Sequence, residues 1–279
     1  YKNFPWTMGY QPDYHTEGAI YAKHILASVK DARIGVLMQN DDYGKDYWEG
    51  FKEGLGKEVG RVAKHVTYEI NEPTVDSQVI QLKASDANVF FNIATPKFAA
   101  QAMRKAGDIG WKPVIYLNNV SSSVASTMKP AGFDNVQGVI TAQYLMDPTD
   151  KQWDTDPNMK SWVEWMKKSN AGASLQDASN VFAYTVSFLM HETLKKCGND
   201  LTRENLMRQA ANFQKYKLPL LLPGITIGRY DGRVSLPDSD PRLQSDGDPS
   251  DILISQPFTT ALATQLPQYL GYTAPNATF

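Results

Sequence analysis

The stretch RIGVLMQNDDYGKDYWEGF, residues 33–51, joins an unbroken apolar run to a polar cluster and then to a helical pattern. Ile34 to Met38 has the length of a strand and no polar alternation, as expected of a strand covered on both faces. Gln39, Asn40, Asp41, Asp42 and Tyr43 follow at once, before Gly44. Tyr47, Trp48, Phe51 and Leu55 then recur at helical spacing. A buried strand that ends on amides, carboxylates and a tyrosine raises the question of what that end is for.

Working outward, the same alternation repeats. Further apolar runs lie at 66–70 (VTYEI), 89–93 (VFFNI), 114–117 (VIYL) and 138–144 (GVITAQY). Helical patterns separate them. Val79, Ile80 and Leu82 follow Asp76-Ser77, which can cap a helix start. Phe98, Ala99, Ala102, Met103 and Ala106 follow Thr95-Pro96, where proline suits a first helical turn. Strand–helix alternation from Arg33 to about Tyr144 predicts an α/β lobe with a doubly wound parallel sheet.

Beyond that lobe the character changes. DPTDKQWDTDP (147–157) is a polar, proline-punctuated connection that reads as a domain crossing. Met159, Trp162, Val163 and Met166 form one helical stripe, and NVFAYTVSFLMHETL (180–194) is apolar almost all round, which predicts a buried helix. Thr202 can cap a third helix. These helices have no strands of their own, and the opening helix, 16–29, is the nearest candidate to pack with them. The expected organisation is a complete lobe at 33–146, a helical remainder of another lobe at 1–32 and 147–227, and an irregular tail at 228–279, rich in Asp, Pro, Ser and Gly over its first half.

Three of the apolar runs end in amides or hydroxyls: Gln39-Asn40, then Asn92 with Ala94-Thr95, then Asn118-Asn119 before Ser121. In an open parallel sheet these ends share one edge, where a crevice forms at the topological switch point. With Tyr43 they can line a pocket for a small polar ligand. The plainer reading stands beside it, because Asn, Asp and Ser also end strands as caps and turns. On that reading Asp41 or Asp42 caps the helix near Gly44 and Tyr43 packs on Trp48.

Composition limits the alternatives. Net charge −2 and a pI near 6.1 point to neither nucleic acid nor an anionic membrane. Cys197 is the single cysteine, so an internal disulfide and a multi-cysteine zinc site are excluded. The histidines, 15, 24, 65 and 191, share no metal-ligand spacing. No nucleotide, hydrolase or metalloprotease motif occurs, and no carboxylate sits in a visibly apolar setting that would tune it for acid–base work. No catalytic residue, metal or cofactor is expected. The most apolar stretch near the end, LPLLLPGITI, is too short to cross a bilayer.

The segments 22–55, 72–113, 118–153 and 201–225 together resemble the branched-chain amino-acid type of ABC-transporter solute-binding protein, from about Trp6 to Ile227. The resemblance implies a type I periplasmic-binding fold, two α/β lobes closing on a solute by a hinge, with one lobe complete here and the other partial because the family's N-terminal half-lobe has no counterpart. It further implies that Tyr43 stacks on the solute. Asn92, Ala94 and Thr95, then Asn119 and Ser121, would face the cleft, with Phe182 opposite and Gln143 and Tyr144 at the hinge. It implies a membrane permease as partner, without insertion of this chain into the membrane, and a periplasmic or other extracytoplasmic location. Family members for amino acids carry an acidic residue in the turn after the fourth strand; here that turn, LNNVSSS, has none, which leaves amino-acid, amide and aromatic-acid solutes all open. A ligand-sensing domain of a regulator or receptor is the alternative function.

Overall fold

The computed structural model describes residues 6–228. Its centre is a five-stranded sheet in the order β2-β1-β3-β4-β5, made of β1 (Ile34–Gln39), β2 (Val62–Tyr68), β3 (Val89–Ile93), β4 (Val114–Leu117) and β5 (Ile140–Thr141). Every pairing is parallel. β1 and β3 are buried at every position, which is why their sequences show no polar alternation. The β2 expectation was misplaced: the strand starts at Val62, and Ile70 lies beyond it in solvent. As an edge strand β2 is covered less on its outer half, so its first residues, Val-Ala-Lys-His, are mixed in character.

Helices α1 (Tyr14–Ser28), α2 (Asp42–Leu55), α3 (Asp76–Ala84) and α4 (Pro96–Asp108) form the layers. One face of the sheet, with Ile34, Val36, Met38, Phe91 and Tyr116, shares a core with Tyr21 and Ile25 of α1 and Tyr47 and Phe51 of α2. The other face, with Leu37, Phe90 and Leu117, packs on Val79 and Leu82 of α3 and Phe98, Ala99, Ala102 and Met103 of α4. Alternate residues of one strand thus serve opposite layers.

This corrects the assignment of α1 to the other lobe. α1 lies on the sheet beside α2, and the fully buried Tyr21 donates its hydroxyl to Leu117 O at 2.8 Å while accepting from Ala142 N at 2.7 Å. Its sequence carried no strand signal to reveal this, since only the tertiary neighbour identifies the lobe.

After a short helix α5 (Lys129–Ala131), the chain passes β5 and continues through α6 (Pro157–Ser169), α7 (Ala178–Cys197) and α8 (Arg203–Ala211). Residues 144–146 run beside 220–222, with Met146 N donating to Leu220 O at 2.9 Å and Leu222 N to Tyr144 O at 3.0 Å. The expected burial of α7 is not observed. Among its residues Val181, Thr185, Thr193 and Cys197 are buried, a single four-residue seam, while Met190 and Leu194 are exposed. The tail proposed for 228–279 lies outside the described residues, apart from residue 228.

The α1–α2 contact is made backbone to backbone. A Cβ at Gly50 would collide with the carbonyl oxygen of His15, one at Gly18 with that of Tyr47, and one at Gly54 with that of Ala19. Gly50→Ala is therefore expected to destabilise the protein by about 2 kcal/mol or more, as overpacking against rigid backbone does. Gly60→Ala, where no atom lies near the added methyl, serves as the control. Urea unfolding of both variants measures the difference; equal midpoints would show that the helices can separate freely.

Candidate functional site

The carboxyl ends of all five strands meet at one edge, and the strand order places the topological switch between β1 and β3. The polar cluster after β1 is divided between two tasks. Asp41 is the N-cap of α2 and accepts from Gly44 N at 3.0 Å, so the plainer reading of that carboxylate is correct. Gly44 itself is required, because a Cβ there would strike the carbonyl oxygen of Gln39. Gln39 is buried and knits the edge together. Its Nε2 donates to Asp41 Oδ2 at 2.5 Å, and its Oε1 accepts from Tyr68 Oη at 2.9 Å and Thr95 Oγ1 at 3.1 Å.

Tyr43 starts the first turn of α2, and its ring packs edge-on against Tyr14 (centroids 4.9 Å apart) and Tyr47 (5.3 Å), not on Trp48. Its hydroxyl is buried without a hydrogen-bond partner; burial raises its pKa well above the ordinary tyrosine value. Thr95 is half-buried beside Tyr68, whose hydroxyl accepts from Thr95 N at 3.0 Å. Asn119 is half-buried, with Nδ2 donating to Ala142 O at 2.8 Å. Across the edge, Phe182 in the first turns of α7 meets Tyr10 edge-on at 5.6 Å, and Tyr10 donates to Thr185 at 2.7 Å. Gln11 donates to Tyr14 Oη at 2.9 Å. Residues 10–14 thus bridge α7 to Tyr43.

The other expected residues have framework roles. Asn92 is fully buried; it lies two residues from Phe90 and so points to the α4 face, donating to Ala99 O at 3.3 Å. The Ala94 carbonyl accepts from Asn118 Nδ2 at 2.8 Å and from Ser121 Oγ at 2.6 Å. Those bonds fix the β3 and β4 ends to each other and leave the buried Ser121 hydroxyl turned inward. Gln143, expected at the hinge, accepts from Tyr144 N and Leu145 N at 3.0 and 3.1 Å and donates to Ser122 Oγ at 3.0 Å. Ser123 donates to Asp177, the N-cap of α7, at 3.2 Å, a direct tie from the β4 turn to α7.

One residue was misjudged outright. Glu17 of α1 is 4% exposed, and its carboxylate accepts from Tyr47 Oη at 2.6 Å and Asn119 N at 2.7 Å. A carboxylate therefore does stand at the turn after β4, contributed by α1 and not by the turn's own sequence. Burial pushes its pKa up to about 7, against the lowering effect of its hydrogen-bond donors. A signal existed: Glu17 stands three and four residues before Ile20 and Tyr21, in line with the buried stripe of α1.

Glu17 makes stability depend on pH with a definite sign. Its folded pKa lies above the value of 4.5 for a free glutamate, so the folded state holds a proton that the unfolded chain releases. Its contribution is full below about pH 4.5, declines as pH rises and is gone above about pH 7. The loss across that window is at most about 3 kcal/mol. Glu17→Gln keeps one acceptor for Asn119 N and presents an amide to Tyr47, mimicking the protonated acid. The variant is expected to match wild type at pH 4 and to exceed it at pH 8 in urea unfolding; parallel pH profiles would assign the dependence to other groups.

Comparison with known proteins places this geometry. The profile of the periplasmic binding protein family matches residues 1–237. The Leu/Ile/Val-binding protein homolog 8 of Brucella abortus is 24% identical over 140 residues, half of this chain and 34% of that protein. A substrate-binding periplasmic protein from Ralstonia solanacearum superposes with a TM-score of 0.69 at 22% identity, covering 80% of this chain and 61% of its own. A branched-chain amino acid ABC transporter protein from Thermus thermophilus with bound valine gives 0.63 at 12% identity, covering 76% and 56%. A fatty acid ABC transporter substrate-binding protein from Thermomonospora curvata gives 0.62 at 21%, covering 78% and 58%. The chain thus spans about a third of the length of the curated relatives it matches and about three-fifths of the solved ones. With a parallel sheet flanked by helices and a polar, tyrosine-rich carboxyl edge, the chain belongs to the periplasmic binding protein family, whose members bind solutes and are not enzymes.

Proposed function

We propose that this chain is the solute-binding component of an ABC importer, working in the periplasm or another extracytoplasmic space and delivering to a membrane permease. The observation that carries this reading is the edge itself. Tyr43 and Thr95 stand at the β1/β3 switch point, Asn119 follows β4, the next strand in the sheet, and Phe182 of α7 packs on Tyr10. Hinge closure would bring the two sides together on the solute. Among the described residues no helix is long and apolar enough to cross a membrane.

The domain organisation belongs to the same proposal. Residues 14–146 form one lobe, and 147–227 form a helical layer of another. One observation, read with a general rule of packing, supports this. Trp165, Met190 and Leu194 leave an apolar face without cover among the described residues, and helices of an α/β lobe ordinarily bury such a face against a sheet.

The solute is a small polar molecule of amino-acid, amide or aromatic-acid type. The relatives named above differ in cargo, so the shared fold supports the class of activity and not one ligand. Glu17 adds a carboxylate at the β4 turn, which is compatible with a solute that carries an ammonium group.

Thermal unfolding against a panel of amino acids, short amides, urea and aromatic acids tests the reading. A solute at a hundred times its Kd should add about 2.7 kcal/mol. Tyr43→Ala is expected to weaken that solute at least about tenfold, near 1.4 kcal/mol. Unchanged affinity would remove Tyr43 from the site, and a cooperative transition that no solute moves would count against binding by this chain.

A further inference from the structure

A buried carboxylate stands behind the carboxyl edge, between donors from two other elements. Glu17 Oε1 accepts from the main-chain N–H of Asn119 at 2.7 Å, and Oε2 accepts from the Tyr47 hydroxyl at 2.6 Å. Both partners lead onward. Asn119 uses its side chain to hold the crossing, with Nδ2 donating to Ala142 O at 2.8 Å and to Gln143 Oε1 at 3.3 Å. The Tyr47 ring stacks on Tyr14 and meets Tyr43 edge-on, and Tyr14 and Tyr43 meet in turn. One side chain thus reaches the turn after β4, the crossing and the tyrosine wall.

This arrangement carries a chemical condition. A main-chain N–H can only donate, so Oε1 must remain an acceptor. A proton gained by Glu17 therefore goes to Oε2, where it meets the hydrogen that Tyr47 donates. Tyr47 must then accept and turn its own hydrogen away, although the residue is fully buried. The bond from Asn119 N loses the charge that strengthens it. The titratable groups facing Glu17 are Tyr14 and Tyr21 of α1, Asp13 at the α1 N-cap, Tyr43 and Tyr47 of α2 and Tyr144 at the crossing. None of these is a cation, so burial dominates and the pKa stands at about 7.

We propose that Glu17 is a positioning residue of the solute site, which sets the Asn119 turn and the Tyr43–Tyr47 pair only while it is ionised, so that taking up a proton resets both. This rests on the reading of the edge as a solute site and adds what holds its geometry and what releases it. The fold itself gains from the proton, because a buried charge disappears, so the release is local and is not unfolding. Stability and site geometry respond to pH in opposite senses.

The test needs no solute. Amide and side-chain carboxyl resonances of the ¹³C,¹⁵N-labelled 279-residue chain are followed from about pH 5 to about pH 9. The Glu17 carboxyl carbon and the Asn119 amide proton are expected to titrate with one midpoint, near 7, the amide proton moving upfield as the carboxylate is lost. In Glu17→Gln the Asn119 resonance should stay at its acid-limit position throughout. Tyr47→Phe, a second and independent variant, removes a donor that favours the ionised form and should raise the shared midpoint. A Glu17 titration that Asn119 does not follow, an Asn119 titration that survives in Glu17→Gln, or a midpoint unmoved in Tyr47→Phe overturns the proposal. Because no solute is present, that failure leaves the solute-binding reading intact. If the resonances move together but no solute from the thermal panel binds, the solute site falls and only the coupling of Glu17 to Asn119 stands.

Discussion

The backbone contact between α1 and α2 sets the position of nearly everything at the carboxyl edge of the sheet. Because Gly18, Gly50 and Gly54 have no side chain, the two helices approach until carbonyl oxygens of one lie against Cα atoms of the other. That approach brings Tyr14 into stacking distance of Tyr47, at 4.9 Å, and edge-on to Tyr43. It also sinks Glu17 beneath them, where the Tyr47 hydroxyl and the Asn119 amide can reach it. A wider spacing would leave the carboxylate hydrated and Tyr43 without its wall.

Glu17 in turn joins elements distant in the chain. One carboxylate fastens α1 to α2 and to the turn after β4, while Tyr21, one turn further along α1, fastens it to the ends of β4 and β5. The edge is therefore a rigid frame of mutually satisfied groups, with few left over for anything else.

The opposite side of the site is built differently. α7 buries one narrow seam and reaches the edge through Phe182 on Tyr10 and through its N-cap, Asp177, which accepts from Ser123. The crossing segment at 144–146 is held by backbone bonds to 220–222 and by Gln143, which folds back on its own neighbours. These bonds add to a shared apolar core in which Tyr144 and Leu145 meet Leu220 and Leu221.

How far the residue order reveals this protein follows from what is local and what is not. β1, β3 and β4, the cap at Asp41, Pro96 opening α4 and the alternation that makes a parallel sheet are written in short-range patterns, because strand burial and helix ends depend on neighbours in sequence. The place of Tyr43 and Thr95 at the sheet edge follows from the same pattern. Asn92 was read as a cleft residue from its type, but its parity along β3 turns it to α4. Ala94 and Ser121 looked free because their partners lie more than twenty residues away. α1 and its Glu17 could be assigned only once folded. An isolated helix does not say which sheet it covers, and a glutamate is buried or solvated according to what packs over it. Sequence by itself determined β1, β3 and β4, the starts of α2 and α4 and the family; the tertiary structure alone decided which polar groups satisfy one another, because those partners are distant in the chain.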